Sequence, residues 1–274
     1  MALQVVGEGK AGVQSGLLDQ VRKGGIEMAV MTNGFLAPRV QGCAIPSIGF
    51  LFADYRALWP AMDGALGAIV RKQASTQLEI EILDKVWDFG FRDITTSTRP
   101  IRTAGDIGGL KIRTQIDSDE MDLFRSLNAV PVVITLPFLR MALDHRQIDG
   151  QEGLLQIVEY ARLNEVQHFC AMTRHVWDGL WICANPAAWK SIPERYRNII
   201  ANTVNAAALR QRETAAAEDE TRRASLEKAG LAFNDIDIET FRDTLRRQGY
   251  YARLKARYDA QTWTAIEAVS GRLG

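Results

Sequence analysis

Two arginines, Arg92 and Arg113, are the residues of this sequence best suited to bind an anion. Arg92 follows Phe91, and Arg113 follows an apolar run that ends at Ile112. This pattern predicts that both lie at strand ends, where the ligands of open α/β sheets bind. A guanidinium presents a rigid fork of donors that matches a carboxylate or a phosphate. The two side chains could therefore converge on one anion, although an internal salt bridge is the simpler explanation of either arginine taken alone.

Asp149 and Glu152 are the candidate acid–base pair of the sequence. They lie three residues apart, and paired carboxylates can transfer protons in catalysis. An Asp-Gly turn followed by a glutamate at a helix N-terminus explains the same two residues structurally. The structural explanation is favoured, and an α/β enzyme of the cytoplasm that uses the pair as acid or base is the alternative.

No residue pattern predicts a nucleophile, a metal site or a cofactor. The three histidines, His145, His168 and His175, have spacings of 23 and 7 that match no metal-binding motif. The three cysteines lie far apart, without the C-x-x-C spacing of zinc or redox sites. A Gly-x-Gly-x-x-Gly match that starts at Gly7 lacks the acidic residue about 20 positions later that a dinucleotide site needs. We therefore predict no catalytic residue, no metal and no cofactor, and His175 is most simply a core histidine.

Charge and composition exclude some functions. Acidic and basic residues balance at 33 each, so no nucleic-acid partner is predicted, because nucleic-acid-binding proteins usually carry a basic excess or stripe. No run approaches the roughly 18–20 apolar residues of a membrane helix. The first residues do not have the pattern of a signal peptide either. Composition alone favours a protein of the cytoplasm, an expectation that the resemblance described below replaces.

The elements that must position these residues alternate between strands and helices, which predicts an α/β fold with parallel sheets covered by helices. Apolar runs and turn residues predict strands at 3–6, 26–31, 78–82, 87–91, 110–112, 130–134, 147–150, 166–170 and 176–184. Helical spacing predicts helices at 17–23, 58–69, 121–127, 137–143 and 154–163. From Glu194 to Ala229, 36 residues run without glycine or proline, which predicts one long helix. Such a helix spans more than one small domain, so we expect two lobes that can close about a hinge.

Three segments of the chain, Gly90–Thr95, Leu110–Arg113 and Ile148–Glu152, carry a resemblance to a known family. They resemble the central block of the substrate-binding proteins of tripartite ATP-independent periplasmic (TRAP) transporters, the DctP-like family. Collinear similarity continues through residues 20–29, 46–52, 99–101, 142–143, 165–167 and 173–179. The resemblance therefore covers nearly the whole chain.

The resemblance implies an α/β periplasmic binding protein-like fold with two lobes, a cleft between them and a long helix that spans both. It places residues 1–90 and 179–218 in lobe I, and residues 91–178 and 219–274 in lobe II. It further implies a periplasmic protein, not an enzyme, that binds a small organic acid and delivers it to the TRAP permease subunits of the membrane. A solute-binding sensor domain without a permease stays open as an alternative, and so does a homodimer.

The same resemblance assigns ligand-binding roles in the cleft. Arg113 would clamp the ligand carboxylate, and Arg92 would assist it. The strand-end turn at Thr32 and Asn33 would face the cleft from lobe I. Residues of lobe II would line the opposite wall, namely Gln151, Gly153, His175, Trp177 and Leu136.

The chain departs from the family pattern at three places. Gly153 stands where family members commonly have an asparagine that contacts the ligand, and residues 138–140 read Phe-Leu-Arg in place of Glu-Val-Tyr. Together with Trp177, these changes hint at a more apolar or aromatic acid. Family members also begin with a signal peptide, a first strand and a first helix that this sequence lacks. We therefore expect a shortened reading frame or a mis-assigned start at Met1, with an unpaired sheet edge in lobe I.

Overall fold

The computed structural model describes residues 4–7, 10, 12, 14–115 and 118–274, without the side chains of residues 14, 15 and 118. Its strands are β1 (Met28–Thr32), β2 (Glu81–Ile82), β3 (Trp87–Thr96), β4 (Lys111–Thr114), β5 (Val130–Val133), β6 (Gly150–Gly153), β7 (Phe169–Ala184) and β8 (Ala232–Asn234). Its helices are α1 (Gln14–Lys23), α2 (Asn33–Leu36), α3 (Tyr55–Asp63), α4 (Ala65–Leu78), α5 (Ala104–Ile107), α6 (Ser118–Ser126), α7 (Leu136–Asp144), α8 (Leu155–Tyr160), α9 (Pro186–Ser191), α10 (Glu194–Lys228), α11 (Ile238–Arg247), α12 (Tyr250–Lys255) and α13 (Ala260–Ser270).

One mixed sheet carries the fold, with the strand order β1-β7-β3-β6-β4-β5 and with β2 and β8 on opposite ends of β7. The long central strands β3 and β7 are antiparallel, whereas β4 lies parallel to β5 and β6. The predicted α/β class is confirmed. The prediction of parallel sheets is wrong at the centre of the sheet. Apolar residues on both faces of a strand indicate that helices bury it, and they do not fix its direction.

The predicted boundaries between the lobes fall opposite each other in the sheet, where Gly90 of β3 pairs with Asp178 of β7. Gly90 has a φ of 122°, which residues with a side chain rarely adopt. The pairing register shifts on both sides of this position, between Asp88 and Gly90 and again between Arg92 and Ile94. Such bulges bend strands locally. The division of the chain into two lobes at this crossing stays a prediction.

Strand β7 joins two strands that the sequence predicts separately, at 166–170 and 176–184. It runs for 16 residues through the polar stretch around Arg174. There the backbone takes a φ of 44°, and the backbone N–H of Arg174 donates to Asp93 Oδ1 at 2.9 Å. A buried carboxylate from the neighbouring strand thus holds the irregular residue, and the pairing with β3 resumes on the far side.

The predicted strand at 78–82 is wrong for its first half. Helix α4 continues to Leu78, and Glu79 ends it in the left-handed conformation with a φ of 54°. Leu78 alternates with the strand residues that follow, but it also lies four residues after Ala74, which the helix buries. The predicted helix at 58–69 divides into α3 and α4 at Gly64, where a Cβ would lie 2.6 Å from the carbonyl oxygen of Pro60.

Strand β1 differs from the buried parallel strand that the sequence predicts. It is antiparallel to β7, and within the described residues it pairs with no second strand. Val30 at its centre is 46% exposed. Of the strand predicted at 3–6, residue 3 lies outside the described residues, and residues 4–6 have no regular structure.

The predicted long helix is confirmed as α10, whose 35 residues extend for about 50 Å. Near its midpoint, Arg212 donates to the carbonyl oxygen of Val86 and forms an ion pair with Asp63. In its second half, Arg222 pairs with Glu159 of α8 at 3.0 Å. The helix therefore packs against parts of the chain on both sides of the sheet crossing. None of the helices in the described ranges is long and apolar enough to span a bilayer.

Candidate functional site

Arg92 forms a buried ion pair with Glu152 at the centre of the molecule. Its Nε and Nη2 donate to Glu152 Oε2 and Oε1 at 2.5 and 2.6 Å, and Glu120 Oε1 lies 3.7 Å from Nε. Burial alone would raise the pKa of Glu152, but the guanidinium holds that pKa well below its usual range. Arg92 lies in the middle of β3 and not at a strand end, so the predicted position is wrong. An internal carboxylate already occupies two of its donor nitrogens.

His175 lies beside this pair with its ring buried. Its Nδ1 is 2.8 Å from the hydroxyl of Thr173, and its Nε2 is 3.6 Å from Glu152 Oε2. Burial lowers the pKa of His175, and the negative charge of Glu152 opposes that effect. Phe124 packs edge-on against the imidazole with ring centroids 5.4 Å apart. The ring is therefore a neutral, enclosed group at neutral pH.

Glu120, Glu152 and His175 form a cluster that could in principle hold a metal ion. One possible ligand atom from each lies within 4.8 Å of the others. The Arg92 guanidinium, however, lies within 4.0 Å of both carboxylates. It supplies the positive charge that two buried carboxylates require, in the place where a cation would have to bind.

Arg113 differs from Arg92 in its partners. It is 5% exposed on β4, and its Nε donates to the carbonyl oxygen of Ile134 at 2.8 Å. Burial lowers its pKa, and the negative charges of Glu152 and Glu120 oppose this shift. In the part of the chain that the structure describes, no carboxylate lies within 4.0 Å of Arg113 to form an ion pair. Arg113 is thus a buried cation whose terminal nitrogens form no hydrogen bond or ion pair with the described residues.

A narrow cavity opens beside Arg92 and Glu120, and Arg113 is not among the described residues that line it. It has a free volume of about 30 Å³, which is room for about one water molecule. A ligand of several carbon atoms therefore requires the residues that line the cavity to move apart. The described residues that line the cavity come from α2, the 3₁₀ helix Gln41–Ser47, β3, the residue after β4, α6 and β7. They are Gly34, Ser47, Arg92, Gln115, Glu120, Val176 and Asp178.

Asp178 connects β7 to the start of α2 beside this cavity. Its Oδ1 accepts hydrogen bonds from the backbone N–H groups of Asn33 and Gly179, each at 3.0 Å. Burial raises the pKa of Asp178 to about 6, and the positive charge of Arg92 opposes the shift. Gln115 borders the cavity next to Arg92. With its amide oxygen toward the guanidinium, it accepts from Nη1 and Nη2 at 3.3 Å.

Thr32 and Asn33 lie at the strand-end turn, as the sequence predicts, but their side chains have internal partners. The Thr32 hydroxyl accepts from the backbone N–H of Phe35 at 3.3 Å and caps α2. The Asn33 amide donates to the carbonyl oxygen of Trp177, and its oxygen accepts from the indole of Trp181. Gly34, the next residue along the chain, is the one that lines the cavity.

Gln151 and Gly153 lie together on β6. The Gln151 amide donates to the hydroxyl of Thr95 at 3.1 Å, while its buried oxygen has no hydrogen-bond partner among the described residues. A Cβ at Gly153 would lie 2.9 Å from that oxygen. The glycine therefore leaves space for the Gln151 amide that an asparagine side chain would take.

Trp177 and Leu136 lie outside the described lining of the cavity. The Trp177 indole donates to Asp88 Oδ1 at 2.8 Å and packs edge-on against Phe52 and Trp59 in the apolar core. Leu136 begins α7, two residues after the carbonyl that binds Arg113, and it packs against the smaller of the two apolar clusters. Phe138, the other aromatic residue on which the expectation of an apolar or aromatic ligand was based, is 58% exposed.

Sequence reasoning did not select Glu120, Asp178 or Gln115 as site residues. A signal for Asp178 was present, since it is an aspartate inside an apolar and aromatic run that must be buried. Gln115 follows Arg113 by two residues and so lies on the same face at the end of β4. Glu120 resembles an ordinary N-terminal helix residue, and nothing in the sequence around it indicates contact with Arg92.

A family model matches most of the chain. The model described as "Bacterial extracellular solute-binding protein, family 7", abbreviated DctP, matches residues 1–253.

Among curated proteins, the 2,3-diketo-L-gulonate-binding periplasmic protein YiaO of Escherichia coli is 27% identical over 252 residues, which are 90% of this chain and 75% of that protein. The sialic acid-binding periplasmic protein SiaP of Vibrio cholerae is 23% identical and covers 84% of this chain and 71% of its own length.

Solved structures of TRAP periplasmic solute-binding proteins have the same fold. One from Ochrobactrum anthropi, with its C-terminus bound in the ligand-binding pocket, has a TM-score of 0.90 and 25% identity, covering 96% of this chain and 82% of that one. One from Polaromonas, bound to D-erythronate, has a TM-score of 0.81 and 27% identity, covering 96% and 86%. The predicted two-lobed α/β fold is confirmed by this similarity.

Proposed function

We propose a carboxylate-binding role for this chain, which belongs to the DctP family of bacterial extracellular solute-binding proteins, family 7. The chain binds a small organic acid in the cleft between its lobes. It works outside the cytoplasm, in the periplasm, and delivers the acid to the membrane permease subunits of a TRAP transporter. It returns its ligand chemically unchanged.

The observation that carries the proposal is the unpaired charge of Arg113. A buried charge is costly unless it is paired and hydrogen-bonded. Glu152 satisfies this requirement for Arg92, but the described residues provide no equivalent carboxylate for Arg113. A ligand carboxylate would complete the shell of Arg113, with the two terminal nitrogens of the guanidinium as donors.

The ligands of relatives support a carboxylate as the bound group. Relatives are named for binding 2,3-diketo-L-gulonate, sialic acid and C4-dicarboxylates, and solved structures contain D-erythronate, D-glucuronate or succinate. Every one of these ligands carries a carboxylate, while the rest of the molecule varies. The carboxylate is therefore the group that these ligands share, and it is the group that Arg113 is proposed to bind.

Closure about the sheet crossing completes the proposed mechanism. Strands β3 and β7 are irregular around Gly90 and Arg174, near the predicted boundaries between the lobes. Opening there widens the narrow cavity, the acid enters and pairs with Arg113, and closing removes water from the ion pair. Removal of water strengthens the electrostatic attraction, because the local dielectric constant falls.

The alternative of an acid–base enzyme has no support from the positions of Asp149 and Glu152. Asp149 Oδ2 accepts from the backbone N–H of Lys111 at 2.7 Å, and Glu152 is held by Arg92. A sensor domain without a permease and a homodimer stay predictions that the genomic neighbourhood and sedimentation analysis would test.

The test is ligand binding by an Arg113→Ala variant. Thermal shift across a panel of organic acids should identify acids that stabilise the wild-type protein, and calorimetry should then show that Arg113→Ala loses that binding. Arg210→Ala, on the exposed face of α10, is the matched control and should bind as the wild type does. Unchanged affinity in a folded Arg113→Ala protein would refute the role of this arginine. Conversion of the acid to another compound would refute the binding-protein role.

A further inference from the structure

Asp178 lines the cavity as a buried hydrogen-bond acceptor. The proposed pairing of Arg113 with a carboxylate gives this side chain no role. One of its oxygens, Oδ1, is fixed by the N–H groups of Asn33 and Gly179. The other oxygen, Oδ2, forms no hydrogen bond with any residue in the described ranges. The residue is only 6% exposed and lines the cavity, so a ligand group that enters there meets this oxygen.

The charges around the cavity exclude a second anionic group near Asp178. The positive charge of Arg92 is committed to Glu152, with Glu120 also within 4.0 Å. Asp178 adds a further negative charge in the same lining. A second carboxylate on the ligand would therefore face like charges in a site with little water, which costs affinity. A neutral hydrogen-bond donor would instead satisfy the free oxygen of Asp178.

The lining also disfavours the apolar or aromatic acid that the sequence suggests. Apart from Gly34 and Val176, each described residue of the lining carries a polar or charged side chain. Trp177 packs in the core on Trp59, and Phe138 lies on the exposed face of α7. A ligand without donors would leave Oδ2 of Asp178 desolvated and without a hydrogen-bond partner, and this penalty discriminates strongly against such ligands.

We propose that Asp178 determines ligand specificity by accepting a hydrogen bond from a hydroxyl group of the ligand whose carboxylate pairs with Arg113. The chain then selects hydroxylated monocarboxylates over dicarboxylates and over acids that have no hydroxyl group. This inference rests on the proposed function, because it requires Arg113 to fix the carboxylate end of the same ligand.

Calorimetric titration with matched acids tests the inference. The probes are D-erythronate against butyrate, D-glucuronate against cyclohexanecarboxylate, and succinate as the dicarboxylate. The wild-type protein should bind at least one hydroxylated acid about 10-fold to 100-fold more tightly than it binds the unhydroxylated match or succinate. The loss of one hydrogen bond to a charged group lowers affinity by about this factor. Asp178→Asn keeps an Oδ1 for Asn33 and Gly179 but replaces the free oxygen by an amide donor. In that variant the preference should shrink by about tenfold.

The outcomes separate this inference from the proposed function. Asp235→Asn, an exposed aspartate outside the site, is the matched control and should keep the preference of the wild type. If butyrate or succinate binds as tightly as erythronate and glucuronate, or if Asp178→Asn keeps the full preference, the role of Asp178 is refuted while carboxylate binding stands. If no acid binds, or Arg113→Ala binds them all unchanged, the proposed function fails, and the inference fails with it.

Discussion

Arg92 and Glu152 face each other across adjacent strands and share two hydrogen bonds of 2.5 and 2.6 Å, with both side chains buried. This pair fixes the electrostatics of the whole site. It removes Arg92 from the set of free cations and leaves Arg113 beside it as the buried arginine that an anion can approach. The two arginines that look equivalent in the sequence therefore have different roles. Arg92 links β3 to β6 through Glu152, whereas Arg113 forms no ion pair with a described carboxylate and is the arginine proposed to bind the ligand.

Glu152→Gln should destabilise the protein by about 3–5 kcal/mol, because it leaves Arg92 as a buried cation without its bidentate partner. Urea denaturation followed by far-UV circular dichroism measures the loss. Glu218→Gln on the exposed side of α10 should change the midpoint little. A loss for Glu152→Gln no greater than that of the control would show that Glu120 and Gln115 alone can hold the guanidinium.

Asp93 should make the protein less stable as the pH rises through neutrality. Burial raises its pKa to about 7 in the folded protein, compared with about 3.9 in an unfolded chain. Between these two values the folded state holds a proton that the unfolded state has lost. The stability contributed by this proton is complete below about pH 4 and disappears as the pH passes 7, with a slope of up to about 1.4 kcal/mol per pH unit.

The Asp93→Asn variant measures this contribution. It keeps an acceptor for the backbone N–H of Arg174 but cannot titrate. Chemical denaturation at a series of pH values from 5 to 8 should show a flatter dependence for the variant than for the wild type, with the variant more stable at pH 8. Asp235→Asn should leave the wild-type profile intact. Parallel profiles for Asp93→Asn and wild type would contradict a raised pKa at Asp93.

Arg212→Ala should destabilise the protein by about 3 kcal/mol, because this arginine attaches α10 to the sheet. It donates twice to the carbonyl oxygen of Val86, pairs with Asp63 at 2.9 Å and stacks on Trp59 at 4.0 Å. Its loss leaves a buried carbonyl without a donor and a carboxylate with one partner fewer. Thermal and urea denaturation measure the effect.

Arg210→Ala provides the control for this prediction, because it is an exposed arginine two residues earlier on the same helix. It should change stability by less than about 0.5 kcal/mol. Arg212→Lys should recover part of the loss, since a lysine keeps the charge beside Asp63 but cannot reproduce the fork of donors. Equal effects of Arg210→Ala and Arg212→Ala would contradict the attachment of α10 through Arg212.

The sequence predicted the long helix and the place of Arg113 in a strand because both depend on local features. A stretch without glycine or proline predicts α10, and an apolar run before Arg113 predicts its place in β4. The long helix and the family resemblance both indicated two lobes, and only the resemblance gave the boundaries between them. The sequence could not predict the direction of the central strands or the joining of two predicted strands in β7. Both depend on pairing with β3, which lies 70 or more residues away in the chain.

The site shows the same limit. Strand alternation predicts that the Arg113 side chain points inward. The partner of each charged side chain, however, depends on which distant residues come into contact. Glu152 pairs with Arg92 across 60 positions of sequence, and Asp178 bonds to Asn33 across 145. The sequence therefore predicted the residue types of the site better than their division between structural and ligand-binding roles.

Gly179→Ala should destabilise the protein by about 1–3 kcal/mol and should weaken ligand binding, because this glycine packs against the core and its N–H holds Asp178, which lines the cavity. A Cβ there would lie 2.4 Å from the ring of Trp177 and 2.8 Å from a methyl group of Val86. The fully buried indole has no free space to move into, so overpacking strains β7. The backbone N–H of Gly179 also holds Asp178 Oδ1, so strain at this residue shifts the carboxylate.

Gly105→Ala in α5, where the nearest atom to an added Cβ is 3.7 Å away, should leave both properties intact or raise stability slightly. Urea denaturation and calorimetry on the two variants measure the difference, and a Gly179→Ala protein as stable as Gly105→Ala would show that the packing of Trp177 is looser than this contact requires.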